Sequence, residues 1–146
     1  NKLLEDKDKG AYYSLGFSFS KAKKISTLSE PPPDISVDYY NTIPNIQFQT
    51  NTLLDPFYKV GDYPDAAAAK AAFNALVNVS VPAWEEWAIN IVPNQVWIFR
   101  DSEENYAKLR IISTTCEMRD GMPFPYAECE FEWVYQPDGT STFPAP

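Results

Sequence analysis

Between Gln95 and Tyr135 the chain carries three strand patterns in a row, and they constrain its fold more than any other feature. Gln95-Val96-Trp97-Ile98-Phe99-Arg100 is a short apolar run that ends in a polar turn, Asp101-Ser102-Glu103-Glu104-Asn105. Tyr106 to Ile112 then alternates, and Cys129-Glu130-Phe131-Glu132-Trp133-Val134-Tyr135 alternates more regularly still. Alternation puts every second side chain on one face of a strand, so Phe131 and Trp133 are expected inward and Glu130 and Glu132 outward. Upstream segments repeat the signal. Ala11–Phe19 sets Tyr13, Leu15, Phe17 and Phe19 on one face, Asp34–Tyr40 alternates, and Asn45–Gln49 opens after Pro44 as an edge strand would. The 9 Tyr, 9 Phe and 4 Trp suit pleated, half-buried surfaces better than a helix bundle.

A different period occurs once. Residues 65–77 begin with Pro64-Asp65, a helix start, and continue with four alanines, Ala66 to Ala69, of the highest helix propensity. Ala66, Ala69, Phe73 and Leu76 fall on one face, with Lys70 and Asn74 opposite. The pattern predicts a mainly β protein, an antiparallel β-sandwich with one covering α-helix over 65–77. At 146 residues it is one domain, over 11–146, preceded by a polar, flexible segment over 1–10. Glu30-Pro31-Pro32-Pro33-Asp34 reads as a stiff polyproline connector, and Trp84–Val92 as a short helical turn followed by a strand.

Charge is unevenly placed. The first thirty residues hold six lysines against four acids, whereas from Pro31 onward six basic residues face sixteen acidic ones, within a net charge of −8. An acidic body argues against nucleic acid as a partner, because phosphate binding needs a basic face. Lys21, Lys23 and Lys24 read as a solvated strand end. No window approaches the ~20 apolar residues of a membrane-spanning helix. The opening at Asn1, followed by the charged run Lys2 to Lys9, reads as a processed terminus from which a targeting segment has been removed.

Cys116 and Cys129 flank the connection between the last two strands, a candidate disulfide if pairing sets them opposite one another. Two cysteines and no histidine cannot build a tetrahedral zinc site of the usual kind, and no metal or other cofactor is expected. Lack of histidine also excludes Ser-His-Asp and Cys-His catalysis in their ordinary forms. The acidic pairs Asp34/Asp38, Glu85/Glu86, Glu103/Glu104 and Glu130/Glu132 read as turn residues and outward strand faces. The chain is therefore expected not to be an enzyme. Trp84 and Trp87 are the candidate ligand platform: two indoles three residues apart, with Glu85 and Glu86 between them to accept hydrogen bonds from hydroxyls. The competing reading has both indoles plugging the sheet end beneath the helix.

Val96-Trp97-Ile98-Phe99-Arg100, its polar turn, Tyr106-Ala107-Lys108-Leu109-Arg110-Ile111-Ile112, and Phe131-Glu132-Trp133-Val134-Tyr135-Gln136-Pro137-Asp138-Gly139 resemble the C-terminal strands of HmuY-like lipoproteins of Bacteroidetes. Tyr12-Tyr13-Ser14-Leu15 and Asp34–Tyr40 are similar to a strand pair of uncharacterised secreted or lipid-anchored β-proteins from the same bacteria. The resemblance covers about half the chain. It implies an exported, β-rich protein at the outer-membrane surface or in the periplasm, in a family whose signature is haem held axially by histidines or, in some relatives, methionines. Here the haem-ligand candidates reduce to Met118 and Met122, four residues apart in one connection, whereas axial ligands must approach iron from opposite faces. The expected function is a non-enzymatic binding protein of a bacterial envelope, for glycan or another small ligand. The alternatives are a protein-interaction module and haem binding.

Overall fold

In the computed structural model the described residues are 2–5 (backbone only), 15–50, 55–121 and 125–144. They form two antiparallel five-stranded sheets and one helix, a β-sandwich as the alternation predicts. The strands are β1 (Lys2–Glu5), β2 (Leu15–Ser18), β3 (Lys23–Ser26), β4 (Ile35–Tyr39), β5 (Ile46–Thr50) and β6 (Phe57–Asp62). After α1 (Ala66–Ala75) come β7 (Ala88–Ile89), β8 (Gln95–Arg100), β9 (Tyr106–Glu117) and β10 (Tyr126–Gln136). One sheet is ordered β1-β10-β9-β8-β6 and the other β3-β2-β4-β5-β7.

The inner faces meet in an aromatic core. Phe17 of β2 sets its ring edge-on to Phe131 of β10, with centroids 5.7 Å apart, and to Trp133 at 5.2 Å. Phe48 of β5 reaches Phe131 and Phe57 across the same gap. Edge-to-face pairs of this kind add to what area burial alone contributes. Trp97 and Phe131 are buried and Trp133 half-buried against the core, as their strand positions predict. A bulge in β9 keeps this core continuous. Phe131 stands opposite Ile111 but Glu130 opposite Ser113, so Ile112 is extra in the register. The inserted residue switches the parity of β9: Leu109 and Ile111 face inward before it, and Cys116 after it.

α1 lies on the outer face of the β8–β9–β10 sheet, with Ala69 and Phe73 buried against Val96 and packed by Val60 and Val134. Asp65 caps its start, accepting a hydrogen bond from Ala68 N at 2.8 Å. Its far end is capped from the sheet. Lys108, only 2% exposed, extends through that outer face and donates its ammonium to Phe73 O and Leu76 O at 2.8 and 3.0 Å. Phe73 O also accepts from the C-cap N–H of Leu76 at 3.3 Å, and a cation at these helix-end carbonyls complements the helix dipole.

The structure adds detail that the sequence pattern does not carry at four places. The polar opening contributes a strand: Lys2–Glu5 pairs along β10 from Phe131 to Glu128, because β10 has a free edge whose backbone groups seek partners. Trp84–Trp87 forms no helical turn. Glu85 instead makes a two-way backbone bridge with Phe57 of β6, and Ala88–Ile89 pairs with β5, so this segment straddles the two sheets and closes one side of the sandwich. The same crossing denies β5 the free edge expected of it. Finally, β6 (Phe57–Asp62) is a strand that no clean alternation announces, since Val60 is bulged out of register with β8.

Candidate functional site

Trp84 is occupied by the protein itself. Its ring stacks on Tyr106, with centroids 5.8 Å apart, and the Arg100 guanidinium lies over it at 4.3 Å. Trp87 is 45% exposed, and neither indole belongs to the cluster under α1. Presenting both rings on one face requires a helical turn, and the extended backbone at Glu85 removes it. Glu85 and Glu86 are exposed. Glu85, Glu86 and Trp87 thus reach solvent, while Trp84 is half-buried against Tyr106 and Arg100.

Met118 is 55% exposed at the end of β9, and Met122 lies outside the described residues. Cys116 and Cys129 are buried, and no disulfide joins them. Register explains this: Cys116 stands opposite Ala127 and Cys129 opposite Thr114, a diagonal rather than a facing pair. Complete burial pushes the Cys129 thiol well above its ordinary range, with Glu128 and Glu130 adding to the effect. Among the described residues no group of three or more metal-ligating acids or thiols is found, and no helix is long and apolar enough to cross a membrane.

What the fold does build is a cleft of about 310 Å³ at one end of the sandwich, lined by the β2–β3 turn, the polyproline segment, the β8–β9 turn and the end of β10. Each wall has a local cause. Ser20 and Lys21 sit at the tip of a tight turn closed by Ala22 N donating to Phe19 O, with Ala22 in the left-handed region at φ 53°. Pro31, Pro32 and Pro33 form the adjoining wall. Pro33 is buried over Gly16, whose hydrogen leaves room that no side chain would: an added Cβ would lie 2.3 Å from Pro33 Cγ and 2.6 Å from Ile35 O. Asp34 follows, and its Oδ2 accepts from Phe19 N at 2.8 Å, joining the proline wall to the base of the turn.

Asp101 organises the opposite wall. Its Oδ1 accepts from Glu103 N and Asn105 N, both at 2.9 Å, and its Oδ2 accepts from Tyr135 Oη–H at 2.7 Å. This is an Asx-type turn locked to β10. Burial, countered by the Phe19 hydrogen bond and reinforced by the nearby Asp101 charge, raises the Asp34 pKa above its ordinary value, while Lys21 pulls it down. Tyr135 is likewise pushed up, first by burial and then by its bond to Asp101, so it stays a neutral donor. The cleft thus combines carboxyl acceptors, the serine hydroxyls of Ser18, Ser20 and Ser102, one ammonium, and the apolar faces of three prolines and a tyrosine.

None of these residues stands out in the sequence. Lys21 reads there as a strand end, Asp34 as a surface acid and Glu103 as a turn residue. The one local hint is the proline run set directly before an acid and a strand, which makes a rigid wall instead of a mobile linker. Comparison with protein-family models, with curated proteins and with solved structures finds no match to this chain.

Proposed function

We propose that the protein is a non-enzymatic binding module of a bacterial envelope, exported or surface-attached, that takes a carbohydrate in the cleft between Pro31–Asp34 and Asp101–Glu103. The observation that carries this reading is the cleft's lining: acceptors and hydroxyls set beside rigid proline and tyrosine faces, in a volume of about 310 Å³. Ligand sites of roughly 300–1,000 Å³ commonly combine an apolar lining with a few fixed polar groups. Sugar hydroxyls suit the carboxyls and serines, and the C–H faces of a pyranose suit Tyr135 and the prolines. Asp101 holds its turn and Tyr135 in place through both carboxyl oxygens, which gives it a structural role in the cleft wall. The resemblance to HmuY-like lipoproteins supports export.

Glycan-array screening followed by calorimetry tests the proposal. A specific sugar should bind, and Ser20→Ala together with Ser102→Ala should weaken it by about tenfold, the worth of one or two neutral hydrogen bonds, with the melting temperature unchanged because both residues are exposed. A blank array across neutral, acidic and amino glycans refutes the carbohydrate reading. A second reading, a protein-interaction module, is favoured by one observation: Trp87, Ile89 and Val92 expose 45%, 39% and 46% of their surface along one short segment. Capture of a specific protein that Trp87→Ala and Ile89→Ser abolish would support it over the cleft.

A further inference from the structure

Resting on the carbohydrate reading, we infer that the cleft selects a sugar bearing a protonated amine, a hexosamine unit whose ammonium sits against Asp34. The cleft is a mixed pocket, and its charges and hydrogen bonds do not balance. Asp34, Asp101 and Glu103 bring three carboxyls to one ammonium, that of Lys21, within a chain whose sequence from Pro31 onward is strongly acidic. Two of these charges are differently spent. Asp101 already accepts three hydrogen bonds, from Glu103 N, Asn105 N and the Tyr135 hydroxyl. Asp34 receives one among the described residues, from Phe19 N, of the about four a carboxylate can accept. Asp34 is half-buried and lines the cleft beside Pro31–Pro33, so its remaining capacity is available to a guest there.

A guest that satisfied this site would bring donors and positive charge together. A neutral sugar supplies only hydroxyl donors. A 2-amino sugar supplies an –NH₃⁺ with three N–H donors beside ring hydroxyls, so one group meets Asp34 while Ser18, Ser20 or Ser102 bonds its neighbours. Charge-assisted bonds of this kind are roughly twice as strong as neutral ones. An acidic sugar would meet three carboxyls and is disfavoured on the same grounds. Lys21 is exposed at a turn tip and stands at the rim, where its flexible stem can swing away from an incoming ammonium.

The test compares three disaccharides that share a β-1,4-linked glucose skeleton and differ only at C2: the glucosamine dimer, its N-acetylated counterpart, and cellobiose. Calorimetry at low ionic strength should show the glucosamine dimer binding at least tenfold more tightly than either neutral analogue. The preference should shrink as salt is raised, because the cleft is open to screening ions. Glu103→Gln, at an exposed position, should lower the preference several-fold with the fold intact. Asp34→Asn should erase it, with circular dichroism confirming that the variant is folded. Equal binding of all three sugars overturns the amine inference and leaves the carbohydrate reading standing. Binding of other glycans on the array with none of these three also overturns it. Silence of both the array and these sugars overturns both.

Discussion

A single carboxyl carries much of the cleft's character. Asp34 is largely withdrawn from water and has its pKa raised from the ordinary 3.8, with burial the leading cause. A carboxyl whose pKa rises on folding favours the folded state when protonated. Its contribution is fully present below 3.8 and is lost as pH rises through the raised value, above which the ionised, desolvated group weighs against folding. Asp34→Asn keeps an oxygen to accept from Phe19 N and removes the charge. The variant is expected to melt higher than the parent at pH 7, with the gap closing as pH falls through the raised pKa of Asp34. A gap constant across pH 3–7 would contradict this. Glu132 works in the other direction. Burial alone would raise its pKa, but hydrogen bonds from Arg110 and Lys70 outweigh that and hold it below 4.5, so its contribution is lost in acid. It is common to parent and variant and cancels. The two loop indoles also separate at this scale. Trp84→Ala loses the Tyr106 stack and the Arg100 contact and should cost about 2 kcal/mol, below the ~3–5 kcal/mol of a fully buried ring. Trp87→Ala should stay within ~0.5 kcal/mol, as exposed positions do. Urea denaturation measures both.

At the level of elements, two contacts hold the parts in place. Pro33 crosses Gly16 so closely that any side chain there collides with Pro33 and with the carbonyl of Ile35. Gly16→Ala should therefore lose ~1–3 kcal/mol, the range for overpacking, and should weaken sugar binding as well, because the proline wall must shift. Retained affinity at reduced stability would show that the wall does not position the ligand. The helix depends on Lys108. The alternation of Tyr106–Ile112 places it on the outward face, where a lysine is expected in solvent, yet α1 covers that face and makes Lys108 its cap. Burial lowers the Lys108 pKa, with Lys70 contributing, but two carbonyl acceptors and the ring of Phe73 at 4.5 Å receive the charge. Lys108→Met keeps the apolar stem and removes the ammonium from Phe73 O and Leu76 O, of which Phe73 O retains the Leu76 N–H. It is expected to cost ~1–3 kcal/mol in urea denaturation, with loss of helical ellipticity preceding loss of the sheet signal.

Across the whole molecule, both sheets feed one aromatic core, and the Glu85–Ile89 crossing ties β6 to β5 along one side. Cys129, fully buried in that core with its thiol pushed far from reactivity, reports on its opening. Its labelling by a thiol reagent in native buffer should proceed only at the global unfolding rate, and labelling within seconds would point to a locally opening β10. Much of this architecture is legible in the chain. The apolar run of residues 95–100, alternation in 106–112 and 129–135, and the capped alanine run from Asp65 determine the strands and the helix, because side-chain period is a local property of a backbone with few allowed conformations. The cleft is not legible in that way. Lys21, Asp34, Asp101 and Tyr135 lie far apart in the sequence, and each alone has an ordinary local role as turn tip, connector end, turn cap or strand residue. Only the register of β2 against β4, the seat of Pro33 over Gly16, and the Tyr135–Asp101 bond bring them to one end of the sandwich. The same holds for Trp84–Trp87 and Lys108, whose burial and partners depend on which element lies over them. Periodicity states which face of a strand a residue occupies; long-range packing decides what covers that face.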